Sequence, residues 1–398
     1  MQTQTQSPAR LIYLDWIRVA AFGLLILYHV GMFYVTWDWH VKSDHTGHTI
    51  EPLMLITNPW RLTLLFLVSG AATRFMADKM SPGMLAGRRS LRLFLPLVFG
   101  ILVVVPPQSY YEVVEAIGYD RGYPDFWAHY LAADPNFCDA DGCLAVPTWN
   151  QLWFVAYLLV YTVILAALLA LFRAPLLRLG GRLAALPAWL LFLGPILWLA
   201  AARLILLSRF EVTHALVDDW YNHAVSFSAF LFGFLTLKDD RVAGAFIRLR
   251  WLALVVFLVC YGLYAGYAWA WRADDAVPPE ALRATMRLVH AADQWSAIVA
   301  VLGFGARHLT RDSRLLRTLT VAVFPFYIVH QTLIVVVGHH LKALHLPALL
   351  EASLLIAATA LGCWLAFVIA RRIGPLGLLL GLGARKAVPP LDPAPAAR

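Results

Sequence analysis

Ten stretches of this 398-residue chain stay apolar for roughly 20 residues each, the length an α-helix needs to cross about 30 Å of hydrocarbon. A bilayer offers no water to backbone N–H and C=O groups, so such runs fold as helices that close their own hydrogen bonds. Their approximate cores lie at 12–35, 53–74, 93–113, 151–172, 187–207, 221–237, 251–271, 285–306, 318–338 and 349–370. The sixth is short, and the eighth carries Arg287, His290 and Asp293. With 61% hydrophobic and only 14% charged residues, the composition lies far from that of a soluble domain. The expected fold is all-α: a polytopic transmembrane helical bundle of about ten helices.

The start, "MQTQTQSPARLIYLDWIRVA", lacks the basic region, short apolar core and small-residue cleavage site of a secretory signal. The first helix is therefore expected to stay in the mature protein. Residues 1–375 read as one membrane domain. Residues 376–398, ending "ARKAVPPLDPAPAAR", read as a disordered cytoplasmic tail. Cys260 and Cys363 sit in apolar runs, as inert core thiols do. Cys138 and Cys143 share the polar loop "NFCDADGC", where oxidising conditions allow a disulfide.

The net charge of +8 has a location. Lys79, Arg88, Arg89 and Arg92 in one loop, Arg173, Arg178 and Arg182 in another, and "KDDRVAGAFIRLR" and "RHLTRDSRLLR" all fall on one side of a ten-helix count. Both termini fall there too. By the positive-inside rule that side is cytoplasmic, so the basic excess reports topology and a nucleic-acid partner is excluded. The opposite loops hold most of the acid and are rich in Trp and Tyr, Trp39 and His40 among them. Such aromatic rings form either interfacial belts or platforms for sugar rings.

In "LDWIRVAAFGLLILYH", Asp15, Arg18 and His29 share a helix face, Arg18 and His29 being eleven residues apart. At 1.5 Å per residue the imidazole lies roughly 16 Å deeper than the guanidinium. Snorkelling to the interface, neutralised by Asp15, accounts for Arg18 equally well. His29 is harder to explain by packing, because intramembrane ionisable groups are expensive and face a cavity, a relay or a substrate path. A neutral imidazole is also the usual general base near physiological pH.

Further polar groups are placed to converge on it. Asn58 and Arg61 in "TNPWRLTLLFLVSG" lie within the second expected span, with Arg61 toward the external end. Tyr327 and His330 in "VFPFYIVHQ" share a face of the ninth, and Asn150, Trp153 and Tyr157 open the fourth. Each alone has a packing explanation of equal weight. Arg89 and Arg92 in "GRRSLRLFLPL" are one turn apart, a spacing that suits a polyanion such as nucleotide phosphates and equally suits a topology signal.

The segment "LDWIRVAAFGLLILYH", an Arg followed by ten residues and a His, and the Arg-x-x-Arg of "RSLR" resemble the acyltransferase-3 family of integral membrane acyltransferases. "WDWHVKS", "RLTLLFLVSG", "LWFVAYLLVY", "FYIVHQTLIVVVG" and "RIGPLGLLLG" are similar to its glucan biosynthesis protein C branch, associated with succinylation of osmoregulated periplasmic glucans. The resemblance implies a multi-pass protein of the bacterial inner membrane. It implies acyl transfer from cytoplasmic acyl-CoA, as succinyl-CoA or acetyl-CoA and without a metal, to a hydroxyl of an external glucan or other glycan. His29 then corresponds to the essential histidine, Arg18 to its basic partner with Asp15 beside it, and Arg89 and Arg92 to donor-binding residues. The esterase-like extension of some members has no counterpart here, which leaves the acceptor to the membrane domain, its loops or partner proteins of glycan synthesis.

On this reading Arg89, Arg92 and Arg18 hold the CoA phosphates and His29 deprotonates the sugar hydroxyl. Asn58, Arg61, Trp39, His40, Trp153, Tyr327 and His330 are the candidates for contact with the acceptor or the reacting carbonyl. An acyl-histidine intermediate is the competing route. A transporter or flippase, using Arg18, Arg61 and His29 as a substrate or proton path, is the alternative of another class, although no inverted duplication supports it.

Overall fold

A computed structural model describes residues 11–139, 142–273 and 275–383. Among them there are no β-strands. The helices are α1 (Ile12–Met32), α2 (Glu51–Leu55), α3 (Arg61–Ala77), α4 (Pro82–Phe99), α5 (Pro106–Ile117), α6 (Tyr123–Leu131) and α7 (Trp153–Ala184). They continue with α8 (Ala188–Ile205), α9 (Trp220–Thr236), α10 (Asp240–Ala270), α11 (Glu280–His308), α12 (Arg314–Lys342), α13 (Ala348–Arg372) and α14 (Gly374–Leu379). Among the described residues eight helical stretches are long and apolar enough to cross a membrane. The second and sixth expected spans are α3 and α9, of 17 residues each, or about 26 Å. The chain is an all-α polytopic bundle.

α3 and α9 lie side by side in the interior, and two glycines set how close they come. A Cβ on Gly70 would lie 1.9 Å from the carbonyl oxygen of Phe230, and one on Gly233 would lie 1.9 Å from that of Leu67. Each backbone thus fills the space beside the other's glycine, the close approach that small residues permit in membranes. Around this pair α1 packs on α11 and α12, α4 on α7, α10 on α11, and α12 on α13.

Several basic segments expected as loops are helical. Ser81 accepts a hydrogen bond from the Met84 amide and starts α4 at Pro82, so Arg89 and Arg92 sit on a helix and not before one. Asp239 caps α10, and α7 runs on past a kink at Phe172 as far as Ala184. A helix has no reason to stop where the hydrocarbon stops. Of the expected tail, α14 takes in the first residues, Leu380 and Leu382 are buried, and residues 384–398 lie outside the described residues.

The third span continues through a π-helical turn, Gly100–Val104, into α5. Pro106 and Pro107 have no N–H to offer the carbonyls five residues back, Ile101 and Leu102. Those two carbonyls are instead met by the Tyr130 hydroxyl at 3.0 Å and the Trp127 indole N–H at 2.9 Å, while Thr332 donates to the Val104 carbonyl at 2.6 Å. α6 is thereby docked on the bundle by the bonds the prolines leave open. Cys138 and Cys143 form a disulfide in this same lobe. At the end of α1 the Lys42 ammonium donates to the carbonyls of Met32 (3.0 Å), Val35 (2.8 Å) and Trp37, a cationic cap on a helix C-terminus. Burial pushes that ammonium down to about 8.

Candidate active site

Two cavities lie one behind the other in the bundle. The larger, of about 880 Å³, opens at the end bearing the α5–α6 lobe and is bordered by α1, α3, α7, α8, α9, α11 and α12. The smaller, of about 190 Å³, lies toward the basic end between α1, α3, α4, α7 and α12.

His29 borders the larger cavity near the end of α1. Its Nδ1 lies 2.7 Å from Nε2 of His330 on α12, and His330 Nδ1 lies 2.7 Å from the Tyr327 carbonyl. A carbonyl can only accept, so His330 carries its proton on Nδ1 and presents a lone pair at Nε2. That lone pair accepts a hydrogen bond from His29 Nδ1–H. In the neutral ring His29 Nε2 then carries no proton, and among the described residues it makes no hydrogen bond. Two neutral rings are thus locked, nearly coplanar at 2°, in the tautomers that give His29 an open base.

Donors without acceptors surround this base. Arg61, 4% exposed, stacks its guanidinium 3.3 Å from the centre of the Tyr28 ring, and its Nε and Nη1 are buried without a partner. The Trp39 ring centre is 5.3 Å from that of His29, and its buried indole N–H also lacks a partner. Two unprotected N–H sources beside an unprotonated nitrogen can stabilise an oxyanion formed there.

The other expected residues divide. Asn58 borders the cavity from the turn before α3, not from within a span; Pro59 disfavours helical backbone at the residue before it. Trp153 borders the cavity with His214 stacked 4.0 Å away. Outside the spans, burial lowers the His214 imidazole below its ordinary range, against the pull of Asp219. His40 is held between Glu112 Oε2 at 2.7 Å and the Gln331 amide at 2.9 Å, so both its nitrogens are committed. The Tyr327 hydroxyl is likewise committed, donating to the Gln151 carbonyl. Sequence reasoning missed Arg203, Tyr221, His290, Gln294 and Trp149 on the cavity wall. Arg203 and His290 were visible as ionisable groups in the fifth and eighth spans, but nothing in a sequence says which way they turn.

The smaller cavity gathers Arg18, Arg89 and Arg92, and among the described residues no carboxylate is on its wall. Arg89 is aimed by Thr162 (3.0 Å) and Ser69 (2.7 Å), and Arg18 donates to the Thr320 carbonyl at 3.0 Å with Asp15 at 3.9 Å. Asp15 borders neither cavity. Phe154 borders both. With Phe22 (5.5 Å) and Phe154 (6.0 Å) packed edge-on against Tyr327, three aromatic rings separate the two spaces.

No curated protein and no solved structure matches the chain. The family model described as an acyltransferase domain matches residues 11–371. That match runs from the helix carrying Arg18 and His29 to the end of α13, and the chain belongs to the acyltransferase-3 family.

Proposed function

We propose that this membrane acyltransferase moves a short acyl group, succinyl or acetyl, from cytoplasmic acyl-CoA to a hydroxyl of a glucan or other glycan on the far side of the bacterial inner membrane. The observation that carries the reading is the unprotonated, unbonded Nε2 of His29 at the edge of the larger cavity, with the free N–H groups of Arg61 and Trp39 beside it. The smaller cavity, which brings three guanidiniums together on its wall, suits the phosphates of CoA.

In the proposed step His29 Nε2 takes the proton of the sugar hydroxyl as its oxygen attacks the thioester carbonyl. The oxyanion is held by Arg61 and Trp39. The C–S bond then breaks, and the CoA thiolate takes the proton from His29. The same lone pair supports a second route, in which Nε2 attacks the carbonyl and carries the acyl group. Family membership favours either over the transporter reading.

The test uses purified full-length protein in lipid nanodiscs, with radiolabelled succinyl-CoA or acetyl-CoA and glucan oligosaccharide. Wild type transfers label to sugar, and His29→Ala loses roughly 100-fold or more of the rate. Transfer at the wild-type rate by folded His29→Ala refutes the assignment. Hydroxylamine-sensitive label on the protein in the absence of sugar selects the acyl-histidine route.

A further inference from the structure

The larger cavity has a second polar centre on the wall built by α8, α9 and α11, distinct from the His29 wall of α1, α3 and α12. We propose that Arg203, Tyr221 and His290 form a subsite for an anionic group, a carboxylate or phosphate, carried by the saccharide acceptor. The assignment of the anion to a saccharide rests on the acyl-transfer reading; the anion site itself does not.

Arg203 donates from Nη1 to the Tyr221 hydroxyl at 2.7 Å, which leaves the phenolic hydrogen free to donate onward. Its Nε is buried without a partner, and among the described residues no carboxylate lies within ion-pair distance of it. His290, 9% exposed, presents a buried Nδ1 that has no partner either. Two donors, the Arg203 Nε–H and the Tyr221 hydroxyl, and an imidazole that donates from Nδ1 in one of its tautomers thus border the same cavity with no protein group bonded to Nε or Nδ1.

Charge points the same way. Arg61 and Arg203 both border this cavity, and among the described residues Asp38 is the sole carboxylate that does. An unpaired guanidinium in the interior of a membrane protein is costly unless something supplies the opposite charge. Sugar hydroxyls can satisfy its hydrogen bonds but cannot neutralise it. Arg61 stands with the reacting centre, so Arg203 is the cation left over.

Position decides what brings the anion. Arg203 is in the last turn of α8, and Thr213, His214 and Ala215 of the segment that follows border the same cavity. That end is the mouth, where an acceptor enters, whereas the acyl group arrives from the opposite, basic end. A saccharide with its reacting hydroxyl at His29 would place a neighbouring substituent or the next ring along this wall.

Full-length protein in nanodiscs, without any acyl donor, is titrated with glucuronate, glucose 1-phosphate, glucose and succinate at fixed ionic strength. Glucuronate or glucose 1-phosphate is expected to bind on the order of tenfold more tightly than glucose. That preference is expected to vanish in Arg203→Gln, to survive in part in Arg203→Lys, and to be unchanged in Arg283→Gln, a substitution on the outer surface. Arg203→Lys retains the charge if the neutral variant fails to fold. Equal binding of charged and neutral sugars, or a preference that persists in folded Arg203→Gln, overturns the subsite. Succinate binding as tightly as glucuronate overturns its assignment to the saccharide. Because no transfer is measured, failure here is separate from failure of the catalytic reading.

Discussion

Replacing His330 by alanine tests the tautomer lock directly. The bond from His29 Nδ1 to His330 Nε2 is 2.7 Å long and His330 is fully buried. A hydrogen bond of this kind contributes about 1 kcal/mol net, a bias of roughly fivefold toward the tautomer with an open Nε2. Orientation is lost along with tautomer. Because general-base catalysis supplies about 100- to 10,000-fold, losing part of its alignment is expected to lower kcat on the order of 10- to 100-fold. KM for acyl-CoA should stay within about twofold, since the arginines of the smaller cavity are untouched. His330→Gln, whose amide oxygen can accept from His29 Nδ1, should recover part of the rate. The double variant His29→Ala/His330→Ala should be no slower than His29→Ala, because the second residue acts through the first. Steady-state transfer in nanodiscs, with thermal unfolding as a folding control, gives all three. A kcat within twofold of wild type in folded His330→Ala, or a double variant much slower than His29→Ala, refutes the lock.

Removing the partition with Phe154→Ala should join the two cavities and raise acyl-CoA hydrolysis without acceptor, read as thiol release, at a stability cost of about 3–5 kcal/mol. Gly70→Ala drives a methyl to 1.9 Å from the Phe230 carbonyl oxygen, so α3 and α9 must separate. The expected loss exceeds about 3 kcal/mol, seen as a lowered Tm or a lost monodisperse peak. Asp78, outside the spans, bonds Arg74 at 3.0 Å and Lys238 at 2.5 Å; burial raises its carboxyl, but these partners outweigh it and hold it below its ordinary 3.8. A depressed folded value means stability present above 3.8 and lost as pH falls through the folded value. Asp78→Asn should therefore cost about 0.5–1 kcal/mol at pH 7, with the difference from wild type closing below about pH 4 in thermal scans.

What the sequence revealed depended on whether the relation lay along one helix. Asp15, Arg18 and His29 form a readable line because a single helix fixes their spacing, and the structure puts Arg18 and His29 on two successive cavities. Arg61 was legible as a charge in an apolar run. His330 was legible as a polar group, but its hold on His29 spans 301 positions and depends on how α12 is rotated against α1. The wall of Arg203 and His290 was hidden for the same reason. The misplacement of Asn58 had a local cause in Pro59, and the docking of α6 had one in Pro106 and Pro107. Both causes stood in the sequence and were outweighed by its hydropathy.

The three rings between the cavities also set where the membrane voltage acts. Filled with solvent, the two cavities would bring each bulk phase up to Phe22, Phe154 and Tyr327, and the potential would then fall across a ring or two of aromatic carbon instead of about 30 Å of hydrocarbon. In the proposed reaction the acyl group goes outward while a proton goes to the CoA sulfur, and the reacting atoms on each side are neutral before and after, so acetyl transfer moves no net charge across that drop. A succinyl group carries its free carboxylate outward with it, and one elementary charge crossing the full drop is worth about 2.3 kcal/mol per 100 mV. An interior-negative potential therefore pulls succinyl transfer forward and leaves acetyl transfer unaltered, and voltage dependence becomes a reading of which acyl group is moved.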